Sequence, residues 1–374
     1  MLDAVVIGGG PVGVLIAGRL HRAGVDVTVL EQRAEAAPGS RAIGVHAPVL
    51  AALEECGVTE RLLADALRVD RGEARSHGRV LGTVRFDRLS TRFPFVATLP
   101  QSTTEAVLAA DAPTVRRGTT VTGVRSEGDR VRIDIDGAEP VLARIAIVAA
   151  GVRARDLVFR RDALRVRQYP DRYLMTDLTA PGPPVAVVHL DGGGVLESFP
   201  LPDGRRRFVA WDPDAAAGAP EERASRMRAA LDQRGEHEAA AALLHASAFR
   251  VRRAVAPSLV RGGVIVIGDT AHEVSPIGGQ GMNLGLLDAA TLAPIVTEWL
   301  RSGRRPDAEL RRWERDRIAS ARTAARIAAL NTKLGRPQGP SGAALRRAAL
   351  RLLLATPAEG ALARAYAMGL DRAA

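Results

Sequence analysis

The segment Val5-Val6-Ile7-Gly8-Gly9-Gly10-Pro11-Val12-Gly13 decides the fold of this chain. Its apolar, β-branched beginning predicts a buried strand, and its glycines fit the pattern G-x-G-x-x-G. Gly8 allows a tight turn, Gly10 lets the backbone approach a pyrophosphate, and Gly13 lets a helix pack closely on the strand. Apolar residues at helical spacing follow, so the N–H groups of a helix N-terminus would face the phosphates. We therefore expect a strand–turn–helix unit that binds a dinucleotide.

A second strand, predicted over residues 25–30, ends at Glu31. Glu31 follows the glycines at about 20 residues, the distance at which an acidic residue hydrogen-bonds a ribose hydroxyl. A carboxylate at this place disfavours a 2′-phosphate, so the resident nucleotide is FAD or NAD rather than NADP. The alternative, glycines that serve only tight packing, leaves Glu31 unexplained.

A second glycine-rich segment lies near the other end of the chain. Residues 264–267 predict another buried strand, and Asp269 follows it where a carboxylate can hydrogen-bond a sugar-alcohol chain. Pro276 and the glycines after it form a tight loop before a helix that begins at Met282. The positive end of this helix would stabilise an anionic reduced flavin ring. The alternative is a glycine-rich helix cap without a ligand, but the two segments together predict FAD held along its whole length.

With these motifs the chain resembles the FAD-dependent aromatic hydroxylases, the group typified by p-hydroxybenzoate hydroxylase. The resemblance rests on the first glycine motif with Glu31, on Arg41-Ala42-Ile43-Gly44, on Leu99-Pro100-Gln101, and above all on the stretch from Gly268 to Asn283. It implies an α/β fold: a Rossmann-type FAD-binding domain with an interleaved antiparallel-sheet substrate domain and a helical C-terminal tail. It also implies that NADPH or NADH reduces FAD, that O2 forms a flavin C4a-hydroperoxide, and that one oxygen atom enters an aromatic or polyketide-like small molecule, as in secondary metabolism.

The resemblance also assigns residues to the cofactor. Asp269 would bind the ribityl chain, Pro276 would lie beside the flavin near the substrate, and residues 281–283 would line the isoalloxazine. Arg41 and Gln101 would contact the flavin nucleotide. With the motif residues included, the expected cofactor-binding set is Gly8, Gly10, Pro11, Val12, Gly13, Glu31, Gln32, Arg33, Arg41, Gln101, Gly268, Asp269, Pro276, Gly279, Gly281, Met282 and Asn283.

The chain departs from the family in mid-sequence. The family carries Asp-Gly-x-x-Ser-x-x-Arg after a strand, a motif linked to FAD and nicotinamide binding, whereas this chain has Ala150, Ala154 and Leu157 at the Asp, Ser and Arg positions. Arg153 and Arg155 are candidates to replace the missing phosphate contacts. The alternative is reduction by a separate flavin reductase.

Three residues are candidates for a catalytic role. A base that deprotonates a phenol would help, because a phenolate is the better nucleophile. His46 follows the loop around Arg41 and His272 lies in the second flavin segment, so both are candidates, and Pro276 is the third. The alternative for each histidine is a structural role, which is commoner for a lone histidine.

The predicted organisation is discontinuous. The FAD-binding domain comprises residues 1–66, 98–155 and 259–300, the substrate domain 67–97 and 156–258, and C-terminal helices 301–374. Strands at 121–124, 131–135 and 143–149 predict a small antiparallel layer beside the flavin sheet. Period-two alternation predicts substrate-sheet strands at 165–169, 173–176, 185–190, 195–199 and 206–211. A helical span is predicted over 220–248, and we expect the leucine-rich tail helix to pack on the substrate domain rather than on a membrane.

Composition excludes other classes of protein. The net charge of +10 comes almost wholly from arginines spread along the chain, with Lys333 as the only lysine, so we expect no nucleic-acid partner. Cys56 is the only cysteine, which excludes a disulfide framework and fits a cytoplasmic location. No apolar run is long enough for a membrane span, the N-terminus predicts a core strand rather than a signal peptide, and no Cys/His cluster has metal-binding spacing.

Three functions remain open at the level of sequence. The first is a monooxygenase of an aromatic or polyketide-like small molecule, acting as a monomer or homodimer. The second is a flavin-dependent reductase or dehydrogenase of related fold, and the third is a flavin-binding protein that is not an enzyme. A flavin halogenase is disfavoured, because no Trp-x-Trp-x-Ile-Pro segment is present.

Overall fold

The structure, a computed structural model, describes residues 1–35, 42–160, 162–214 and 218–371. Its helices are α1 (Pro11–Arg22), α2 (Ala47–Glu54), α3 (Val58–Asp65), α4 (Gln101–Ala109), α5 (Pro220–Asp232), α6 (His237–Ala242), α7 (Gln280–Ser302), α8 (Asp307–Leu334), α9 (Pro340–Leu354) and α10 (Ala358–Tyr366). Its strands are β1 (Leu2–Ile7), β2 (Val27–Leu30), β3 (Gly44–Val45), β4 (Leu67–Val69), β5 (Arg71–Ser76), β6 (Arg79–Arg85), β7 (Val96–Thr98), β8 (Val115–Arg116), β9 (Val121–Glu127), β10 (Arg130–Ile135), β11 (Ala138–Val148), β12 (Arg167–Thr179), β13 (Ala186–Asp191), β14 (Gly194–Pro200), β15 (Arg205–Trp211), β16 (Ser247–Val255), β17 (Val260–Arg261), β18 (Val264–Val266) and β19 (His272–Glu273). Short 3-10 turns cover Phe86–Arg88, Val152–Leu157 and Gly268–Thr270.

The first sheet contains the parallel strands predicted from the glycine motif. Its order is β17-β18-β11-β1-β2-β8, and β1 runs parallel to both neighbours, with Val6 opposite Val29 on one side and Ile147 on the other. The central side chains of β1 and β11 are fully buried, so both strands are apolar runs rather than alternations. This core confirms the Rossmann-type α/β prediction.

An antiparallel extension grows from the first sheet. β11 pairs with β10, and β10 pairs with β9, so the small antiparallel layer predicted beside the flavin sheet is present. β11 begins earlier than predicted, at Ala138, because its first half pairs with β10 and its second half with β1.

The second sheet is almost wholly antiparallel. Its order is β19-β16-β12-β15-β14-β13-β5-β6, and only β13 and β5 run parallel. The two strands predicted at 165–169 and 173–176 form one long strand, β12, whose pairing with β16 is interrupted between Gln168 and Arg172. The irregular pairing explains why the alternation reads as two segments.

The helix predicted over residues 220–248 is wrong in its second half. α5 and α6 account for the first part, but Leu243 is already extended and the chain continues as β16 from Ser247. β16 pairs with β12, with Phe249 opposite Tyr173. The long-range pairing outweighs the local helix preference of an alanine-rich sequence.

The C-terminal helices cover the second sheet, as expected for the tail. α9 and α10 lie against β6, and the Leu354 side chain packs where Gly82 has no Cβ. Arg346 of α9 donates from Nη2 to the carbonyl oxygens of Leu190 (3.2 Å) and Asp191 (2.9 Å) at the end of β13. Among the described helices, none combines the length and apolar character needed to cross a membrane. The predicted domain boundaries stay predictions.

Candidate active site

A cavity of about 1680 Å³ lies where the two sheets and the C-terminal helices meet. Its walls include the glycine motif after β1, the inner face of the second sheet and the ends of α8, α9 and α10. Typical small-molecule sites measure roughly 300–1,000 Å³, so this volume suits a dinucleotide together with a second molecule.

The surroundings of the three motif glycines match what the pattern predicts. Gly8 has φ +114°, and a Cβ there would lie 2.5 Å from the carbonyl oxygen of Ala149. A Cβ on Gly13 would collide with the Gly8 carbonyl oxygen, so this glycine serves the packing of α1 on β1 and does not line the cavity. At Gly10 no described atom lies within 4 Å of the Cβ position. This open position at the N-terminus of α1 fits a pyrophosphate, so the residues present fit FAD.

Glu31 is held at the end of β2 by its own surroundings. Its Oε2 accepts a hydrogen bond from the Gly9 N–H (2.7 Å), and its Oε1 accepts from Arg33 N and Nε (both 2.9 Å). Burial acts to raise the pKa of Glu31, but the Arg33 and Gly9 hydrogen bonds outweigh it and lower the pKa. The carboxylate is therefore charged at neutral pH, as a ribose partner must be. Gln32 and Arg33 line the cavity beside it.

The second glycine-rich segment reaches the cavity from the opposite side. Asp269 stands exposed on the 3-10 turn after β18 and lines the cavity. Pro276, Gly279 and Met282 also line it, and the N-terminus of α7 lies among them. Gly268 has φ +62° and its Cβ position lies 3.3 Å from Val12, so it packs behind the wall. Gly281 and the first-motif residues Pro11 and Val12 complete this part of the lining.

Asn283 connects two loops instead of lining the cavity. It is fully buried, and its Nδ2 donates to the carbonyl oxygens of Gly44 (2.8 Å) and Gly279 (3.0 Å). Its Oδ1 accepts from the His46 N–H (2.9 Å). The Asn283 side chain thus joins the loop at residues 44–46 to the start of α7, and its expected contact with the flavin ring stays a prediction.

The remaining nucleotide residues are Gln101 and Arg41. Gln101 lines the cavity at the start of α4, and its Oε1 accepts from the Ala42 N–H (3.1 Å) while its Nε2 donates to Glu105 (2.8 Å). Arg41 lies outside the described residues, so its expected contact with FAD stays a prediction.

His46 is a buried, neutral imidazole on the cavity wall. Burial lowers the pKa of His46 to about 4, and a backbone contact with Gly279 opposes the shift. Its Nδ1 has no hydrogen-bond partner among the described residues. His46 therefore remains a candidate for a contact with a bound molecule.

His272 is not among the residues that line the cavity, and its catalytic role stays a prediction. Its Nε2 lies 2.6 Å from Asp288 Oδ2, and Asp288 also accepts from Arg317 Nε (2.7 Å) and the Gly268 N–H (3.0 Å). Burial acts to raise the pKa of Asp288, but His272 and Arg317 together lower it. Arg317 continues the network to Asp371 (2.7 Å). The network joins His272 to α7, α8 and the C-terminal segment.

The altered mid-chain motif lines the cavity, but its two arginines differ. Arg155 is buried: its Nη1 donates to Glu273 (2.9 Å) and its Nη2 to the Asp269 carbonyl oxygen (2.8 Å). It therefore joins the 3-10 turn at Val152–Leu157 to the second flavin segment and is not free to bind a phosphate, contrary to expectation. Arg153 is exposed on the cavity wall and can still do so.

Two features of the cavity escaped sequence reasoning. Glu197 of β14 lines the cavity although only 6 % of it is exposed, and burial raises its pKa to about 8. The available signal was a single acidic residue within the apolar strand Gly194–Pro200. The second feature is the wall formed by the tail, with Asn331, Leu354 and Tyr366. No local pattern shows which cavity a terminal helix covers.

Residues 1–328 match the family described as FAD binding domain, and the chain belongs to this family. The match covers the glycine motif, Glu31 and the second flavin segment. It confirms the resemblance to FAD-dependent aromatic hydroxylases that the sequence indicates, and FAD as the cofactor of the fold.

The relatives are monooxygenases. The chain is 31 % identical over 340 residues to a rifampicin monooxygenase of Streptomyces venezuelae, covering 81 % of this chain and 66 % of that protein. It is 31 % identical over 365 residues to a 6-methylpretetramide 4-monooxygenase of Streptomyces rimosus, covering 91 % of this chain and 64 % of that protein. The chain thus spans about two thirds of the length of these relatives. The crystal structure of p-nitrophenol 4-monooxygenase from Pseudomonas putida DLL-E4 has the same fold, with a TM-score of 0.86 at 22 % identity over 100 % of this chain and 98 % of that one.

Proposed function

We propose that the chain is an FAD-dependent monooxygenase that inserts one oxygen atom from O2 into an aromatic or polyketide-like small molecule, with NADPH or NADH as electron donor. One observation carries the proposal: a single cavity joins the open Gly10 position and the two flavin segments to the apolar face of the second sheet. A cofactor held by the former would meet a substrate resting on the latter. The names of the relatives support oxygen insertion into aromatic and polyketide-like compounds.

The chain offers a distinct group to each part of FAD. Backbone at Gly10 and the N-terminus of α1 would hold the pyrophosphate, Glu31 the ribose and Asp269 the ribityl chain. Pro276 and Met282 would bound the flavin ring. When bound, FAD supplies reducing equivalents and oxygen activation by the route that the resemblance implies, while the protein orients the substrate and excludes water.

The route of electrons has a specific alternative. Arg155 is committed to Glu273, and Ala150 lacks the carboxylate of the family motif, so Arg153 is the remaining candidate among the motif's arginines for a nicotinamide phosphate. This arrangement favours, as a second candidate, a monooxygenase served by a separate flavin reductase. No observation favours the two other functions considered, a flavin-dependent reductase or dehydrogenase and a flavin-binding protein that is not an enzyme.

The test uses protein reconstituted with FAD and a panel of rifampicin, p-nitrophenol and a hydroxylated anthraquinone. We expect at least one compound to accelerate oxidation of NADPH or NADH and to yield a product that carries one ¹⁸O atom from ¹⁸O2. If neither donor is oxidised but chemically reduced protein still forms that product, the separate reductase is supported. Absence of ¹⁸O in every product, with either source of electrons, would contradict the proposal.

A further inference from the structure

We propose that Glu197 binds the phenolic hydroxyl of the substrate and accepts its proton. The inference rests on the proposed function, since it names the chemical class of the substrate and the group that recognises it. Four observations support it: the place of Glu197 in the sheet, its lack of a partner, the charges around it and the energetic consequence of its burial.

Glu197 is the ionisable residue in an apolar row across the second sheet. On β14 it lies opposite Val188 of β13 and Val209 of β15, and the row continues to Ala74 of β5 and Met175 of β12. All five side chains share one face because directly paired residues point to the same side of a sheet. The same five residues line the cavity. A substrate resting on this row would therefore meet one carboxyl group among apolar side chains.

Glu197 makes no hydrogen bond or ion pair with any residue in the described part of the chain. The neighbouring row carries Arg207 and Asp177, but their side chains form a two-bond ion pair with each other (2.6 and 2.7 Å). On the other side lie Tyr173 and, from α10, Tyr366, whose hydroxyl donates to Asn331 (3.0 Å). The charged groups near Glu197 are thus engaged elsewhere.

The titratable groups around Glu197 respond to its charge. Burial, and next the negative charge of Glu197, raise the pKa values of Tyr173 and Tyr366, so both phenols stay neutral. Neither β13 nor β5 places an ionisable side chain in the row itself, which contains Val188 and Ala74 at these strands.

Glu73 of β5 also lines the cavity, but its carboxylate is paired with Arg75 (2.6 Å). His46, which also lines the cavity, is likewise neutral. Arginines also line the cavity, among them Arg207, Arg250 and Arg252, but within the described part of the chain none is paired with Glu197.

A buried carboxyl group without a partner is costly, and a ligand that supplies a hydrogen bond removes part of that cost. A phenol supplies the O–H donor that Glu197 lacks. A base works best when its pKa lies near the operating pH, and burial places the pKa of Glu197 at about 8. The phenolic O–H bond breaks, its proton forms an O–H bond on the Glu197 carboxylate, and a phenolate and a neutral carboxylic acid result. The electron pair of the broken O–H bond stays on the phenolate oxygen, so only a proton is transferred and nothing is oxidised or reduced.

The experiment measures binding of probe molecules to the oxidised, FAD-loaded protein in the absence of an electron donor. No oxygen chemistry takes place under these conditions, so a negative result would count against the role of Glu197 and not against the proposed monooxygenase activity. The probes are 2-hydroxyanthraquinone and 4-nitrophenol, whose phenolates have their own visible bands, and their methyl ethers as non-ionisable controls. Difference absorbance gives affinity and the ionised fraction of the bound probe across pH 6 to 9.

We expect each hydroxyl probe that binds to bind about tenfold or more tightly than its ether, since the ether lacks one charged hydrogen bond. Glu197→Gln should remove this preference and shift the pH midpoint at which the bound probe ionises, while FAD content and ether affinity stay unchanged. Glu238→Gln, exposed on α6 and outside the cavity lining, is the matched control and should behave as wild type. Glu197→Asp is the second variant and should keep the pH dependence with weaker binding.

Two results would overturn the proposal. One is that no hydroxyl probe binds better than its ether to the wild-type protein. The other is that Glu197→Gln leaves both the preference and the pH profile of the bound probe unchanged. If Glu197→Gln does not fold, a Glu197→Asp variant without the pH dependence would count equally against it.

Discussion

At the scale of single residues, the cavity contains two buried groups whose titration has opposite effects on stability. His46 has a pKa lowered to about 4 and Glu197 a pKa raised to about 8, both because of burial. In each case the folded protein disfavours the charged form. The pH dependence of unfolding is therefore a direct test of where these side chains lie, independent of any activity.

For His46, the folded-state pKa lies below the unfolded value of about 6.5, so the unfolded chain binds the extra proton between about pH 4 and 6.5. Stability should fall as pH falls through this window. We expect the wild type to lose about 1.4 kcal/mol per pH unit relative to His46→Gln there. Urea unfolding of both proteins at pH 6 and 5 checks this; parallel changes in the two proteins would mean that His46 is not buried in neutral form.

For Glu197, the folded-state pKa lies above the unfolded value, so the folded protein holds the extra proton between about pH 4.5 and 8. Stability should fall as pH rises through this window, by about 1.4 kcal/mol per pH unit relative to Glu197→Gln. The free energy of unfolding at pH 5.5 and 7.5 is the measurement. A wild type and variant that keep a constant difference would place Glu197 in contact with water or with a cation.

At the scale of elements, Arg155 connects the altered mid-chain motif to the second flavin segment. Arg155→Gln should lower the free energy of unfolding by about 3 kcal/mol, because it breaks a largely buried ion pair with Glu273. Arg153→Gln is the matched control: it removes an exposed arginine from the same 3-10 turn and should leave stability within about 0.5 kcal/mol. The measurement is the free energy of unfolding of the wild type and both variants in chemical denaturant. An equal loss of stability in the two variants would contradict the structural role of Arg155.

The elements also show what sequence reasoning could reach. The glycine motif, Glu31 and the second flavin segment are local patterns, each readable within a few residues, and the structure brings most of them to one cavity. The end of α6 and the course of β16 depend on pairing with β12, which no local signal carries. The ion pair of Arg155 with Glu273 and the burial of Glu197 without a described partner likewise depend on residues distant in the chain. They could therefore not be predicted from the sequence.

At the scale of the whole molecule, the tail closes the cavity over the second sheet. Gly82 has no side chain because Leu354 of α9 occupies that space. Gly82→Val should push α9 outward and weaken the binding of 2-methoxyanthraquinone about tenfold while FAD is retained, since overpacking displaces neighbours. Gly360→Ala, where a Cβ meets no described atom within 4 Å, is the control. Unchanged affinity in Gly82→Val, measured by absorbance titration, would show that the tail does not shape the substrate space.

The central claim is that this cavity holds a redox-active FAD. The most direct measurement is the visible absorbance of the protein reconstituted with FAD and gel-filtered, followed anaerobically after addition of NADPH or NADH and then after oxygen. We predict stoichiometric FAD whose band is bleached by one of the donors and returns with oxygen. If the protein retains FAD but neither donor bleaches its band, the electrons must come from a separate reductase. Protein that emerges from the column without FAD would contradict the claim itself.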